Sequence, residues 1–121
     1  MLVVDAANVV GSRPDGWWRD RPGAARRLVE RVRGAAAAGR LADEVTVVLE
    51  GAARRGVDEG VADGVTVVHA SGSGDDRLVE VVGAASGPVT LVTADRELRR
   101  RAEALGAHVV GPGRFLGLLD G

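Results

Sequence analysis

Short apolar runs rich in β-branched residues recur along the chain and predict the strands of a buried sheet. The five runs are Leu2–Val4, Val45–Leu49, Val65–His69, Val89–Thr93 and His108–Val110. Each run is nearly continuous in apolar character, whereas a strand with one wet face would alternate apolar and polar residues. This pattern is typical of strands that are buried on both faces of a parallel sheet.

Helical periodicity fills most of the chain between these runs. Apolar residues recur at spacings of three and four over Pro22–Ala38, Asp75–Ala84 and Asp95–Leu105, and a short last helix is expected over Arg114–Leu119. The segment Ala52–Ala62 fits either a short helix or a loop, because Gly56 and Gly60 interrupt it. Strands alternating with helices predict a three-layer α/β/α fold around a mostly parallel sheet of about five strands. Residues 1–121 are expected to form one domain.

The amino-acid composition excludes some kinds of site but does not identify a binding partner. The chain has no cysteine and a formal net charge of −1, so disulfides and thiolate metal sites are excluded. All of its 16 Lys and Arg residues are arginines, which suit planar, bidentate contacts to phosphate. No apolar run approaches the roughly 20 residues that span a bilayer, and no signal-peptide pattern precedes the first strand. A cytoplasmic protein without a membrane partner is therefore expected.

Acidic residues follow four consecutive long strand patterns. Asp5 follows the first strand directly, Glu50 follows the second, Asp75 and Asp76 follow the third, and Asp95 follows the fourth. Because ligands of parallel sheets bind outside the carboxyl ends of the strands, these side chains are expected at one edge. Taken singly, Asp75 and Asp95 could equally be helix N-caps, and Glu50 could be a solvated loop residue.

Carboxylates gathered at one edge require a compensating charge. Two carboxylates about 4 Å apart repel by roughly 4 kcal/mol at an effective dielectric constant of about 20. Such a cluster must be protonated, paired with arginine or bound to a cation, and oxygen ligands without cysteine favour Mg²⁺ or Mn²⁺. A bound ion of this kind activates water and offsets phosphate charge, so no protein nucleophile is required. The pattern therefore indicates phosphodiester hydrolysis.

Three segments resemble the motifs of a known family. Val3–Gly11, with the sequence VVDAANVVG, is similar to the start of NYN domains of the YacP-like type, which belong to the PIN-like nuclease superfamily. Gly74–Glu80 is similar to the middle acidic motif of that family, and Val92–Glu97 is similar to its third motif. Gly106 and Ala107, before the last predicted strand, also fit, so the resemblance covers nearly the whole chain.

The resemblance implies a PIN-like fold and a metal-dependent ribonuclease that leaves a 5′-phosphate and a 3′-hydroxyl. On the matching positions, Asp5, Asp75 and Asp95 would bind Mg²⁺ or Mn²⁺. Asn8 would hold the site or the substrate phosphate, and Asp76 would be an outer or second-metal carboxylate. Glu50 stands after the second strand, where the family varies, so its assignment as a metal ligand is the least specific.

Arginines interleaved with tryptophans follow the first acidic motif, over residues 12–21. In complexes with single-stranded RNA, arginine holds phosphate and an aromatic ring stacks on a base. The residues expected to contact the RNA are Arg13, Trp17, Trp18, Arg19, Arg54 and Arg96. A packed tryptophan with solvated arginines would explain the same loop equally well. Arg99, Arg100 and Arg101 are expected on a solvated helix face.

Two function hypotheses remain open from the sequence. The first is a ribonuclease that hydrolyses RNA through a metal-activated water, and the second is a non-catalytic RNA-binding or regulatory module on the same fold. A phosphatase of the haloacid-dehalogenase type is disfavoured, because Ala7 stands where that chemistry needs a second aspartate. The sequence leaves a monomer and a homodimer equally open.

Overall fold

A single sheet runs through the computed structural model, which describes residues 1–41 and 44–120. Within these residues its strands are β1 (Leu2–Asp5), β2 (Val45–Leu49), β3 (Gly60–Ala62), β4 (Val65–His69), β5 (Thr90–Val92) and β6 (His108–Val110). The strand order is β3-β4-β2-β1-β5-β6. Every neighbouring pair is parallel except β3 with β4, which is antiparallel.

Helices cover both faces of the sheet. They are α1 (Ala6–Gly11), α2 (Arg21–Ala37), α3 (Gly74–Ala84), α4 (Arg96–Ala104) and α5 (Pro112–Leu119). One core contains residues of α1, α2 and α5, and the other contains residues of α3 and α4. Val4 belongs to the first core and Val3 to the second, so β1 is buried on both faces. The predicted α/β/α fold with a mostly parallel sheet is confirmed. No helix in the described residues has the length and apolar character needed to cross a membrane.

Two short elements differ from the sequence prediction. The segment expected as a helix or a loop forms a 3-10 helix over Gly51–Gly56 and then strand β3, which adds an antiparallel edge to the five expected strands. All three residues of β3 are exposed, so no apolar run marked it in the sequence. Helix α1 was also not predicted, because its six residues are too few to show a helical period.

The register of the parallel strands positions the candidate site. Asp5, the last residue of β1, lies opposite Val48 of β2, and the next residue of β2, Leu49, lies opposite His69 of β4. These three strands therefore end at nearly the same level. The connections that leave them begin α1, the 3-10 helix and the loop to α3, and the connection after β5 begins α4. Residues from four segments of the chain meet at this edge.

Candidate functional site

Asp5 is a buried carboxylate at the end of a central strand, with only 6% of its surface exposed. Its Oδ1 accepts a hydrogen bond from the backbone N–H of Asn8 at 3.3 Å, and its Oδ2 accepts one from the Thr93 hydroxyl at 2.9 Å. Burial raises the pKa of Asp5 to about 6, against the lowering effect of these two hydrogen bonds. The negative charges of Asp75 and Glu50 raise this pKa further. The site therefore disfavours a second uncompensated charge.

Asp75 lies in the first turn of α3 but does not cap it, because Ser73 is the N-cap residue. Burial is the largest cause that raises the pKa of Asp75, followed by the negative charges of Asp95 and Glu50. The positive charge of Arg101 acts in the opposite direction and lowers this pKa. Asp75 is thus a carboxylate without a capping role, placed among other carboxylates.

Asp95 is held by contacts that join two of the site's segments. It is the N-cap residue of α4, and its own N–H donates to the Thr93 hydroxyl oxygen at 3.1 Å. The side-chain oxygen of Asn8 accepts the N–H of Ala94 at 2.8 Å. Asn8 therefore ties α1 to the loop that carries Asp95, while Thr93 contacts both Asp95 and Asp5. Asp95 does cap a helix, and its negative charge also raises the pKa of Asp75.

Glu50 and Asp76 are held by different partners. The Oε2 atom of Glu50 accepts the backbone N–H of Gly74 at 2.8 Å. A Cβ atom at Gly74 would lie only 2.6 Å from this oxygen, so glycine lets the carboxylate reach the start of α3. Asp76 instead pairs with Arg101 on α4, at 3.0 Å between Oδ1 and Nη2, on the exposed side of the helix pair. Glu50 belongs to the acidic edge, whereas Asp76 is paired with Arg101, although its negative charge also raises the pKa of Asp75.

The acidic edge, defined as Asp5, Glu50, Asp75 and Asp95, carries little compensating charge. Within the described residues, Arg101 is the only cation among the causes that lower either raised pKa. The donors are hard oxygen atoms, which fit Mg²⁺ or Mn²⁺ in chemistry. However, no group of three or more His, Cys, Asp or Glu side chains in this part of the chain lies close enough to hold an ion. The donor set is suitable, but it does not form a closed cage.

The two adjacent tryptophans occupy different environments. Trp17 is half-buried, whereas Trp18 is 52% exposed. Their rings meet edge to face, with centroids 6.0 Å apart. The guanidinium of Arg21 lies 5.3 Å from the Trp17 ring centroid, and that of Arg19 lies 5.8 Å from the Trp18 centroid. One tryptophan is therefore part of the packed structure and the other presents its ring to solvent.

The remaining predicted substrate contacts are spread over the surface. Arg13 lines a cavity of about 220 Å³ that none of the four acidic-edge residues lines. Arg54 donates to the carbonyl oxygens of Gly51 and Ala70, at 3.0 and 3.2 Å, so its guanidinium holds the local loops together. Arg96 is exposed in the first turn of α4, directly after Asp95. The structure brings Trp17 to the acidic edge, places Arg13 in a separate cavity and gives Arg54 structural contacts.

Sequence reasoning missed two residues of this region. Thr93 is a buried polar residue, 3% exposed, whose hydroxyl contacts both Asp5 and Asp95. A hydroxyl side chain between a buried strand and an acidic helix start is a signal that could have identified it. Arg101 was expected on a solvated face together with the two arginines before it. Those two do pair within α4, but Arg101 reaches across to Asp76, and no sequence pattern indicates that contact.

The fold and its acidic edge define a class of protein: a largely parallel α/β/α domain with its candidate site at the carboxyl ends of the central strands. No protein-family model and no curated protein matches the chain. It is similar to two crystal structures of Rae1 (YacP) from Bacillus subtilis, one of them a point mutant, both with a TM-score of 0.72. Sequence identity is 20% and 19%, over 98% and 99% of this chain and 73% of the other. The expected resemblance to YacP is confirmed for the fold.

Proposed function

We propose that this chain hydrolyses RNA phosphodiester bonds with a divalent cation held at the acidic edge. The observation that carries the proposal is the convergence of Asp5, Glu50, Asp75 and Asp95 at the ends of parallel strands, with little positive charge among them. Carboxylates placed in this way are stabilised together by a cation. The YacP-like sequence motifs support RNA as the substrate, and the fold shared with Rae1 (YacP) agrees with that resemblance.

The residues of the acidic edge and their neighbours would have different roles in this reaction. A divalent cation, when bound, would supply an activated water and offset the charge of the phosphate. Asp5 and Asp75 are the best candidates to hold it, since both are partly desolvated and poorly compensated. Asp95 is oriented by its capping role, and Asn8 and Thr93 hold the segments together. Asp76 is the weakest candidate ligand, because Arg101 already pairs with it.

The lack of a closed cage is consistent with a cation that binds together with the substrate. Mg²⁺ usually keeps several waters and is bound through one or two carboxylates plus substrate phosphates, rather than by an all-protein cage. An RNA phosphate would supply further oxygen ligands in addition to the carboxylates of the acidic edge. Metal affinity should therefore be weak in the free protein and higher in the presence of RNA.

A non-catalytic RNA-binding module is the second candidate function. It is favoured by one observation, that no three acids in the described residues lie close enough to hold an ion. The exposed Trp18 with Arg19 over its ring would serve binding in either case. This candidate predicts RNA binding without turnover, with the same affinity in Mg²⁺ and in EDTA.

Incubation of labelled single-stranded RNA and DNA with the protein in Mg²⁺, Mn²⁺ or EDTA tests the proposal. We expect metal-dependent turnover of RNA that EDTA stops, with 5′-phosphate and 3′-hydroxyl ends on the products. Asp75→Asn is expected to lower kcat by about 100-fold or more, because lost stabilisation of developing charge typically costs this much. Asp63→Asn is the matched control: Asp63 is exposed in the turn before β4 at φ 55°, a backbone conformation that asparagine also tolerates.

The outcomes separate the two functions. RNA binding without turnover in any metal would support the binding module. Turnover that survives Asp75→Asn unchanged would contradict the acidic edge as the site, and equal losses in Asp75→Asn and Asp63→Asn would indicate a nonspecific effect of removing a carboxylate.

A further inference from the structure

A cavity of about 360 Å³ opens directly beside the acidic edge. Its walls come from α1, Trp17, the start of α2 and the segment from Glu50 into the 3-10 helix, and the lining residues include Ala6, Ala7, Val10, Trp17, Arg21 and Glu50. The volume lies in the range of roughly 300–1,000 Å³ that is typical of small-molecule sites. Apolar walls with a few polar groups are also typical of such sites. The cavity is the second feature of this edge, and the acidic residues alone do not explain it.

Trp17 forms an ordered aromatic wall of this cavity. The ring lies across the end of α1, since a Cβ atom at Gly11 would be 3.7 Å from its Cζ2. The guanidinium of Arg21 lies over the ring, and Trp18 meets the ring edge to face at 88°. These contacts favour one orientation of the ring in the free protein, which lowers the conformational entropy lost when a base stacks on it.

A second wall of the cavity is held by a close backbone approach. The 3-10 helix lies against the start of α2, where a Cβ atom at Gly56 would be only 2.0 Å from the carbonyl oxygen of Pro22. Gly51 and Ala53 of the same 3-10 helix line the cavity. Both walls therefore rest on α2, and the space between them is formed in the protein without a ligand.

The cavity and the acidic edge share Glu50. Glu50 lines the cavity, and its carboxylate accepts the N–H of Gly74, the residue before Asp75. Ala6 also connects the two features, because it lines the cavity and directly follows Asp5 of the acidic edge. A nucleotide chain with a phosphate at the acidic edge would therefore carry its adjacent base to the mouth of the cavity.

We propose that this cavity receives one nucleobase of the RNA, next to the phosphate at the acidic edge, and that Glu50 accepts a hydrogen bond from an N–H of that base. This inference rests on the proposed function, which identifies the bound nucleic acid as RNA. Every base has a flat face that can stack on Trp17, and base edges carry N–H donors for a carboxylate. A purely aliphatic ligand would offer no polar group to Glu50 or Arg21, and a free anion would be repelled by the negative charge of Glu50.

Binding of 5′-labelled RNA hexamers in EDTA tests the proposal without cleavage. The probes are oligo(A), oligo(U) and an abasic ribose-phosphate hexamer, and the variant is Ala7→Leu. Ala7 is exposed on α1 and leucine is a good helix former, so the variant should fold while its side chain fills the cavity. We expect Ala7→Leu to weaken binding of oligo(A) and oligo(U) by about tenfold, as expected for loss of one stacked base.

The controls separate the contribution of the base to RNA affinity from that of the sugar-phosphate backbone. Ala104→Leu, at an exposed alanine in the last turn of α4, should bind all three hexamers as the wild type does. The abasic hexamer should bind equally to the wild type and to Ala7→Leu. Equal affinity of wild type and Ala7→Leu for oligo(A) and oligo(U), or no preference of the wild type for these over the abasic hexamer, would overturn the proposal.

Glu50→Gln tests the hydrogen bond to the base under the same conditions, where metal ligation plays no part. A carboxylate accepts a stronger, charge-assisted hydrogen bond than a neutral amide does. The variant should therefore lower the affinity for oligo(A) relative to the abasic hexamer by severalfold. An unchanged ratio of these two affinities would show that Glu50 does not accept a hydrogen bond from the base.

Failure of this inference and failure of the proposed function give different results. If the wild type cleaves RNA and Ala7→Leu both binds the hexamers and cleaves RNA equally well, the nuclease assignment stands and the base pocket is wrong. If the wild type never cleaves RNA but Ala7→Leu loses base-dependent binding, the base pocket stands and the nuclease assignment is wrong.

Discussion

Asp5 affects folding and the candidate site in opposite directions. As the N-cap residue of α1 it accepts the N–H of Asn8, and it also accepts the hydroxyl of Thr93, which stabilises both segments. Its burial, however, disfavours the charged form and raises its pKa to about 6. The same carboxylate that would hold a cation therefore costs stability when it is ionised and no cation is present.

Asp5→Asn tests this balance through the pH dependence of stability. The folded protein holds a proton on Asp5 with a pKa of about 6, against 3.8 for an unperturbed aspartate. The folded state therefore binds this proton more tightly than the unfolded state. The contribution of Asp5 to stability is fully present below about pH 4 and is lost as the pH rises through about 6. A difference of about two pKa units corresponds to about 3 kcal/mol.

Urea unfolding without divalent cations measures the effect. In the wild type the free energy of unfolding should fall between about pH 4 and pH 6, and Asp5→Asn should lack this fall. The variant should therefore be more stable than the wild type by about 1–3 kcal/mol at neutral pH. Asparagine is also a good N-cap residue, so the cap is retained. Parallel stability curves for the two proteins across this pH range would show that Asp5 is not the group responsible.

At the scale of elements, the contact between the 3-10 helix and α2 holds the connection between β2 and β3 in place. The 3-10 helix connects Glu50 to strand β3, and Gly56 is where its backbone approaches Pro22 most closely. A side chain at this position would meet backbone, which cannot move aside as a flexible side chain can. Glycine at position 56 is therefore a packing requirement and not a turn requirement.

Gly56→Ala should destabilise the protein by about 1–3 kcal/mol, the usual cost of overpacking. Gly34→Ala is the matched control, since Gly34 is exposed within α2 and a Cβ atom there would meet nothing within 4 Å. That change should instead stabilise the protein by about 0.5–1 kcal/mol, the helix preference for alanine over glycine. Thermal or urea unfolding measures both variants, and effects of the same sign would contradict the close approach.

At the scale of the whole molecule, a formal net charge of −1 means that RNA is not attracted by overall charge. Positive charge is distributed unevenly over the surface. Arg99 and Arg100 pair with glutamates on their own helix, whereas Arg19 lies over the exposed ring of Trp18. Attraction for phosphate must therefore come from local groups such as Arg19, and not from the arginine run of α4.

The salt dependence of RNA binding tests this distribution. For single-stranded nucleic acid, each neutralised phosphate contributes about −0.7 to the slope of log affinity against log salt concentration. Arg19→Gln should reduce the magnitude of this slope by about 0.7, whereas Arg99→Gln should leave it unchanged because Arg99 pairs with Glu103. Measurements in EDTA avoid cleavage, and equal reductions in the two variants would show that only general charge matters.

The sequence by itself determined the layered fold and the placement of three acids. Continuous apolar runs report burial on both faces, which is a local property of each strand, and the parallel arrangement then brings Asp5, Asp75 and Asp95 to one edge. The family resemblance adds proposed roles for these residues that the pattern alone does not supply. Strand β3 escaped prediction because it is short and exposed, so its pairing with β4 leaves no periodic signal.

Only the tertiary structure decided which of these acids are compensated and what lies beside them. Thr93 bonds to Asp5 across 88 residues of sequence, and Arg101 reaches Asp76 across 25. Trp17 and Glu50 line one cavity because α2 supports both of its walls. Such contacts depend on how separate segments pack against each other, and the pKa of a carboxylate depends on its burial and its neighbours. Neither property is encoded by residue type and spacing along the chain.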